Sequence, residues 1–301
     1  MKNHIVKLYN ANKNENRVIS INPLTGAEIE VDEETKKEID IDDIIRKKAG
    51  SKSKYIPHFL INLLKRIIHQ DFINTYLRQG YVGVDFCKHC IEYLGANVNV
   101  EGRENLPVDG RYYTFVCNHP LGAVDGVTLG WVIGEQYDGK IKYLVNDLLM
   151  SLEGLAPLCV PINKLGKNGR NFPAMVEGAF SGENHVVMFP AGLCSRKMDD
   201  GQIRDIAWSK SFIVKSVQHQ RDIVPVHFEG QLTDRFYKVA RFCKKCHLPN
   251  FAQILLPDEM YRSKGKTYTV KIGKPIAWQT FDQSHTPLQW AQWVQNKVYE
   301  L

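Results

Sequence analysis

The sequence predicts an α/β fold, a mixed, largely parallel sheet flanked by helices, preceded by an N-terminal amphipathic helical region. Two observations carry this. Apolar runs of strand length at 112–117, 142–145, 158–162, 185–189, 223–228 and 268–272 alternate with helical periodicity at 124–136, 172–181, 208–219, 232–246 and 288–299, the pattern of strands joined by crossover helices. Before residue 95 that alternation is absent and the periodicity is mainly helical. The expected division is therefore an N-terminal region, 1–95, and an α/β domain, 96–301.

Within the N-terminal region, Asn22-Pro23 and Thr25-Gly26 supply turn chemistry between 18–21 and 29–31, a hairpin preface. Residues 32–48 place acids early and Arg46, Lys47 and Lys48 late, matching a helix aligned with its own dipole, and Gly50-Ser51 break it. From 44 to 70 there is no acid, while Arg46, Lys47, Lys48, Lys52, Lys54, Lys65 and Arg66 surround the apolar set Ile56, Phe59, Leu60, Leu63, Leu64, Ile67 and Ile68. A basic amphipathic helix of this kind suits docking on an anionic membrane surface. It equally suits a helix that packs its stripe on the domain and leaves its lysines solvated. A second helix is expected over 72–94.

The net charge of +6 and pI near 8.8 favour anionic partners: nucleic acid, phosphorylated ligands or an acidic lipid surface. The basic run is interleaved with aliphatic instead of aromatic residues, so nucleic acid is not the expected partner. Residues 1–17 lack a secretory pattern, and the most apolar window, 143–162, holds Asn146, Asp147 and Glu153. A transmembrane span is not expected, and the chain is placed on the cytoplasmic side. Seven cysteines, an odd number, fit reduced thiols better than a disulfide framework. Cys87/Cys90 and Cys243/Cys246 have zinc-like spacing, which would make this a basic zinc or nucleic-acid-binding protein. Both pairs fall in helical patterns, where cysteines three apart share one core face, so no metal is expected.

The strand-like run at 112–117 ends at Asn118-His119-Pro120-Leu121-Gly122, and a helical pattern starts near Asp125. Ligands of open α/β sheets bind at the carboxyl ends of strands. A neutral imidazole there can take the proton of an attacking hydroxyl, and a carboxylate on its other nitrogen would fix the tautomer. His119 and Asp125 are the candidate pair. The same residues also fit a solvent-exposed turn histidine and a helix N-cap. A thiol nucleophile, Cys117 or Cys194 beside His119, is a third arrangement.

Four blocks in order resemble the glycerolipid (lysophospholipid) acyltransferase family: Asn118-His119 with Asp125; Val160-Pro161-Ile162-Asn163-Lys164; Phe189-Pro190-Ala191-Gly192-Leu193-Cys194-Ser195-Arg196; and Ile223-Val224-Pro225-Val226. The resemblance implies an O-acyltransferase at the membrane, moving a fatty acyl group from an acyl carrier protein or coenzyme A thioester to a lysolipid hydroxyl, without a cofactor. It implies His119 as general base and Asp125 as its orienting carboxylate. Asn118, Lys164 and Arg196 are then candidate acceptor or oxyanion contacts, and Gly192 allows close backbone approach to the substrate. Two departures stand out. The loop between His119 and Asp125, Pro120 to Val124, is one residue longer than is usual, and Ala191 and Cys194 replace the third block's glutamate and arginine. These details resemble the hemolysin-like bacterial branch, some members of which acylate lyso-glycine or lyso-ornithine lipids. The implied acceptor is a lyso-amino-acid lipid, with 1-acylglycerol-3-phosphate acylation as the alternative, at the cytoplasmic face of the inner membrane as a peripheral protein.

Overall fold

The N-terminal hairpin pairs β1 (Arg17–Ile21) antiparallel with β2 (Glu28–Asp32), Val18 opposite Val31, as the turn residues predict. The computed structural model describes residues 17–21, 28–32, 38–145, 152–161 and 172–301. Three short helices follow: α1 (Ile41–Ala49), α2 (His58–Ile67) and α3 (Gln70–Leu77). Asp40 caps α1 by accepting the Asp42 amide, so that helix starts later than the acids at 32–34 imply. Asn74 clamps the entry to α1, accepting from the Ile39 amide at 2.8 Å and donating to its carbonyl at 2.9 Å.

The single helix expected over 72–94 is two, α3 and α4 (Val84–Tyr93). Gly80 and Gly83 take φ of 75° and 65°, a left-handed backbone that ends one helix and redirects the chain before the next. The periodicity on either side is real, but it belongs to two axes.

A seven-stranded sheet then forms. β3 (Asn97–Glu101), β4 (Thr114–Cys117), β5 (Ile141–Val145), β6 (Cys159–Pro161) and β7 (His185–Met188) are crossed by α5 (Val124–Gln136) and α6 (Phe172–Ser181). A two-residue pair, β8 (Arg196–Lys197) with β9 (Ile203–Arg204), leads to α7 (Ser211–Gln218), β10 (Ile223–Glu229), α8 (Asp234–Lys245), α9 (Leu256–Tyr261), β11 (Thr267–Ile272) and α10 (Pro287–Tyr299). The strand order is β3-β11-β10-β4-β7-β5-β6, parallel except where β10 meets β11. β3 alternates exposed and half-buried residues at an edge. Its Asn-Val-Asn-Val run has the strand period without the apolar density that marks the other strands.

Alternation along the central strands builds two cores. Phe115 and Cys117 of β4 face α3, α4, α5 and α8, whereas Val116 faces α6, α7 and α10. Helices thus cover both faces, as a parallel sheet requires. α4 and α5 cross closely because α5 carries glycine where they meet: a Cβ at Gly130 would lie 2.5 Å from Cys87 Sγ, and one at Gly134 2.6 Å from Val84 Cγ2. Cys87 and Cys90 are buried on this seam and Cys243 under α8, as small core residues. Among the described residues, no group of three His, Cys, Asp or Glu side chains could hold a metal, and no helix is long and apolar enough to cross a membrane.

Gly130→Ala should destabilise the fold by about 1–3 kcal/mol despite alanine's better helix propensity, because the added methyl overpacks the seam. Cys87→Ala in the same chain removes the opposing sulfur and should recover part of that loss, measured as a double-mutant cycle in denaturant unfolding.

Candidate active site

His119 stands just past the end of β4, and the turn after it brings Asp125 back to the ring. His119 Nδ1 lies 3.0 Å from Asp125 Oδ2. Asp125 is fully buried in the first turn of α5. Its Oδ2 also accepts from the amides of Leu121 at 2.9 Å and Gly122 at 3.2 Å, and its Oδ1 from Gly126 at 2.9 Å. A buried carboxylate needs such donors, and here they come from the loop it organises, with the helix N-terminus adding favourable potential. The longer loop closes because Gly122 takes φ of 76°, with the Ala123 amide bonded to the Leu121 carbonyl. A side chain there would also collide, since a Cβ would sit 2.7 Å from Cys194 Sγ and 2.9 Å from Leu256.

The His119 ring is stacked on Phe189 at 4.1 Å between centroids and retains 16% side-chain exposure. With Nδ1 turned to Asp125, Nε2 is the nitrogen left to exchange a proton. Burial opposes charging the ring, but the negative charge and hydrogen bond of Asp125, reinforced by Asp205, outweigh it. The His119 pKa therefore lies above the ordinary histidine value.

Asp205 was not marked by the sequence, yet it fixes the backbone of His119. Its Oδ1 accepts from the His119 amide at 3.2 Å and from Ser195 Oγ at 2.6 Å, and its Oδ2 accepts from Trp208 Nε1 at 2.9 Å. The Ser195 amide donates to the His119 carbonyl at 2.8 Å, so both backbone groups of His119 are held by the third block and the segment after it. Tyr299 of α10 accepts from the Asp205 amide at 2.7 Å. Because Trp208 is engaged in this way, α7 begins at Ser211 and not at 208. The only trace of Asp205 in the sequence is a lone acid between Arg204 and Trp208, which spacing cannot distinguish from a surface charge.

The other expected site residues divide. Asn118 is buried and has both ends of its carboxamide bonded to Phe228 of β10, accepting from its amide at 2.7 Å and donating to its carbonyl at 2.9 Å. It ties two strand ends together. Gly192 has φ of 68° with open space where a Cβ would project, so its backbone is accessible. Arg196 is half-buried, its guanidinium over the Phe236 ring at 5.3 Å and bonded to the Cys194 carbonyl at 2.6 Å. Arg204 lies over the Tyr299 ring at 5.1 Å. Lys164 lies outside the described residues, with most of the second block. Cys117 and Cys194 are buried, and burial drives the Cys117 thiol well above its ordinary range and Cys194 up to about 12. Neither supplies a thiolate near neutrality.

The chain is 56% identical over 266 residues to a lyso-glycine lipid O-acyltransferase of Bacteroides thetaiotaomicron, covering 87% of this chain and 97% of the relative. It is 53% identical over 266 residues to one of Phocaeicola vulgatus, covering 87% and 95%. A solved structure of the 1-acyl-sn-glycerophosphate acyltransferase PlsC of Thermotoga maritima aligns over 86% of this chain and 94% of its own, at 17% identity and a TM-score of 0.45. A family model described as acyltransferase matches residues 43–301, and the chain belongs to that acyltransferase family.

Proposed function

We propose that this acyltransferase transfers a fatty acyl group from an acyl carrier protein or coenzyme A thioester to the hydroxyl of a lyso-glycine lipid. The observation that carries the chemistry is the imidazole of His119 held at 3.0 Å from a fully buried carboxylate at a strand end. The relatives' named activity supports the acceptor class.

In this reading the acceptor hydroxyl gives its proton to Nε2 of His119 as its oxygen bonds to the thioester carbonyl carbon. Asp125 stabilises the imidazolium across Nδ1. Collapse of the tetrahedral adduct breaks the C–S bond, and the proton passes from Nε2 to the departing sulfur, releasing the free thiol and the acylated lipid. The donor is already activated, so no acyl-enzyme is needed. Arg196 and Lys164 are assigned to the acceptor's carboxylate, and the open Gly192 backbone to close approach of substrate. Acylation of 1-acylglycerol-3-phosphate fits less well: Ala191 and Cys194 stand where the family's glutamate and arginine would be, and Cys194 is packed against Gly122.

We propose the cytoplasmic face of the inner membrane as the place of the reaction. α2 supports peripheral binding there, because it uses both of its sides. Ile61 packs with Ile41 and Ile68, while Phe59, Leu60 and Leu63, with Tyr55 just before them, remain exposed beside Lys54 and Arg66.

A base works only when neutral, and a raised His119 pKa keeps it protonated to higher pH. The acidic limb of kcat/KM should therefore have its midpoint above about 6.5. Asp125→Asn leaves burial dominant, so it should move that midpoint down while lowering kcat by roughly 10²–10⁴-fold. Asp205→Asn turns an N–H₂ toward one of its donors and should lower stability by about 1–3 kcal/mol in denaturant unfolding, with reduced turnover from a displaced His119. Lipid profiling of cells carrying the intact gene, a deletion and His119→Ala tests the acceptor. Lyso-glycine lipid should accumulate in the last two, and an unchanged lipid profile refutes the reading.

A further inference from the structure

The chain from Arg235 to Pro257 contains no acid and five Lys or Arg residues. It forms α8 and a 3-10 turn, Phe251–Leu255, folded back against that helix. Phe236, Tyr237, Ala240 and Cys243 bury the inner face of α8, leaving Lys238, Arg241, Lys244 and Lys245 outside. Large apolar side chains share that outer side. Phe242 is 59% exposed and Phe251 49%, with Leu248 and Ile254 also exposed. Phe251 and Ile254 are three apart on a 3-10 turn, which stacks them in one outward row, while Ala252 and Leu255 are buried. Among the described residues, Lys238, Lys244 and Lys245 have no acidic side chain within ion-pair distance.

This surface is tied to the catalytic loop and to α2. Leu256, the next residue after the turn, is the side chain against which Gly122 is packed. Two residues on, the buried Asp258 accepts from His69 Nε2 at 2.8 Å, Arg235 Nη1 at 3.1 Å and Arg262 Nε at 2.9 Å. His69 also stacks on Tyr261 at 3.9 Å. The junction of α2 with α3, the start of α8, and α9 are therefore pinned at one carboxylate.

We propose that the outer face of α8 and its following turn, centred on Phe242, Phe251 and Ile254, is a second membrane-contact surface that binds an anionic lipid bilayer at the rim of the active site. Exposed aromatic and aliphatic groups ringed by exposed lysines match the two attractions such a surface offers, burial at the acyl boundary and charge on the head groups. α2, linked to this region through His69 and Asp258, carries the same combination of exposed apolar and basic side chains. A lipid acceptor would then reach the His119 loop without leaving the interface. The proposal builds on the lysolipid reading, but its binding measurement stands apart from it.

The test uses the full chain and vesicles of phosphatidylcholine with and without phosphatidylglycerol. Phe242→Gln/Phe251→Gln/Ile254→Gln should weaken sedimentation with anionic vesicles by about tenfold or more, and each of Lys238→Gln, Lys244→Gln and Lys245→Gln by about fivefold. Circular dichroism and thermal midpoint should be unchanged, because the altered side chains are exposed. Turnover of acceptor embedded in vesicles should fall in the triple variant while turnover of monomerically dispersed acceptor is retained. Vesicle binding equal to the parent's would overturn the proposal. So would unchanged vesicle binding together with lost binding of an acidic acyl carrier protein, which would make this a protein-docking face. If the parent fails to turn over lyso-glycine lipid in either form, the acceptor assignment falls, and vesicle binding still decides the surface.

Discussion

A carboxylate removed from water must be surrounded by donors, and in this protein that requirement shapes the site. Asp125 gathers the amides of Leu121, Gly122 and Gly126 and the imidazole of His119. The loop cannot relax without leaving buried polar groups unmatched, a cost of several kcal/mol. The ring is thus held in one orientation by the same bonds that keep the loop closed. Position and charge environment of the proposed base have a common origin.

Behind that pair stands a second buried acid with a different task. Asp205 holds the peptide of His119, the hydroxyl of Ser195 and the indole of Trp208. The third sequence block, expected to contact the acceptor, therefore also braces the first through Ser195. Its departures from the family pattern fit this packing. Cys194 occupies the small space left by Gly122 and Leu256, and a longer charged side chain would not fit there without moving the loop.

Much of this was legible in the sequence because the relevant signals are local. The central strands are short apolar runs between helical patterns, and His119 follows one of them directly. The extra residue before Asp125 made the pairing look strained in one dimension, but a left-handed Gly122 absorbs it. What escaped was set by long-range contact. Asp205 acquires its meaning only from residues far away in the chain, Asn118 is taken up by Phe228 across the sheet, and the break between α3 and α4 depends on glycines whose φ the periodicity does not reveal. β3 was missed for the opposite reason: its alternation is present, but it is polar and lies at an edge.

The hydrogen bond from the Asp205 amide to Tyr299 spans 94 residues, and Gln295 of the same helix reaches the Ile206 carbonyl at 3.1 Å. This has a consequence for the order of synthesis. When β4 and the His119 turn leave the ribosome, the bracket that fixes their backbone does not yet exist. It is completed only after α10 emerges and docks. Until then both residues of the proposed dyad stand without the full bracket, and the site is complete only once α10 has been made.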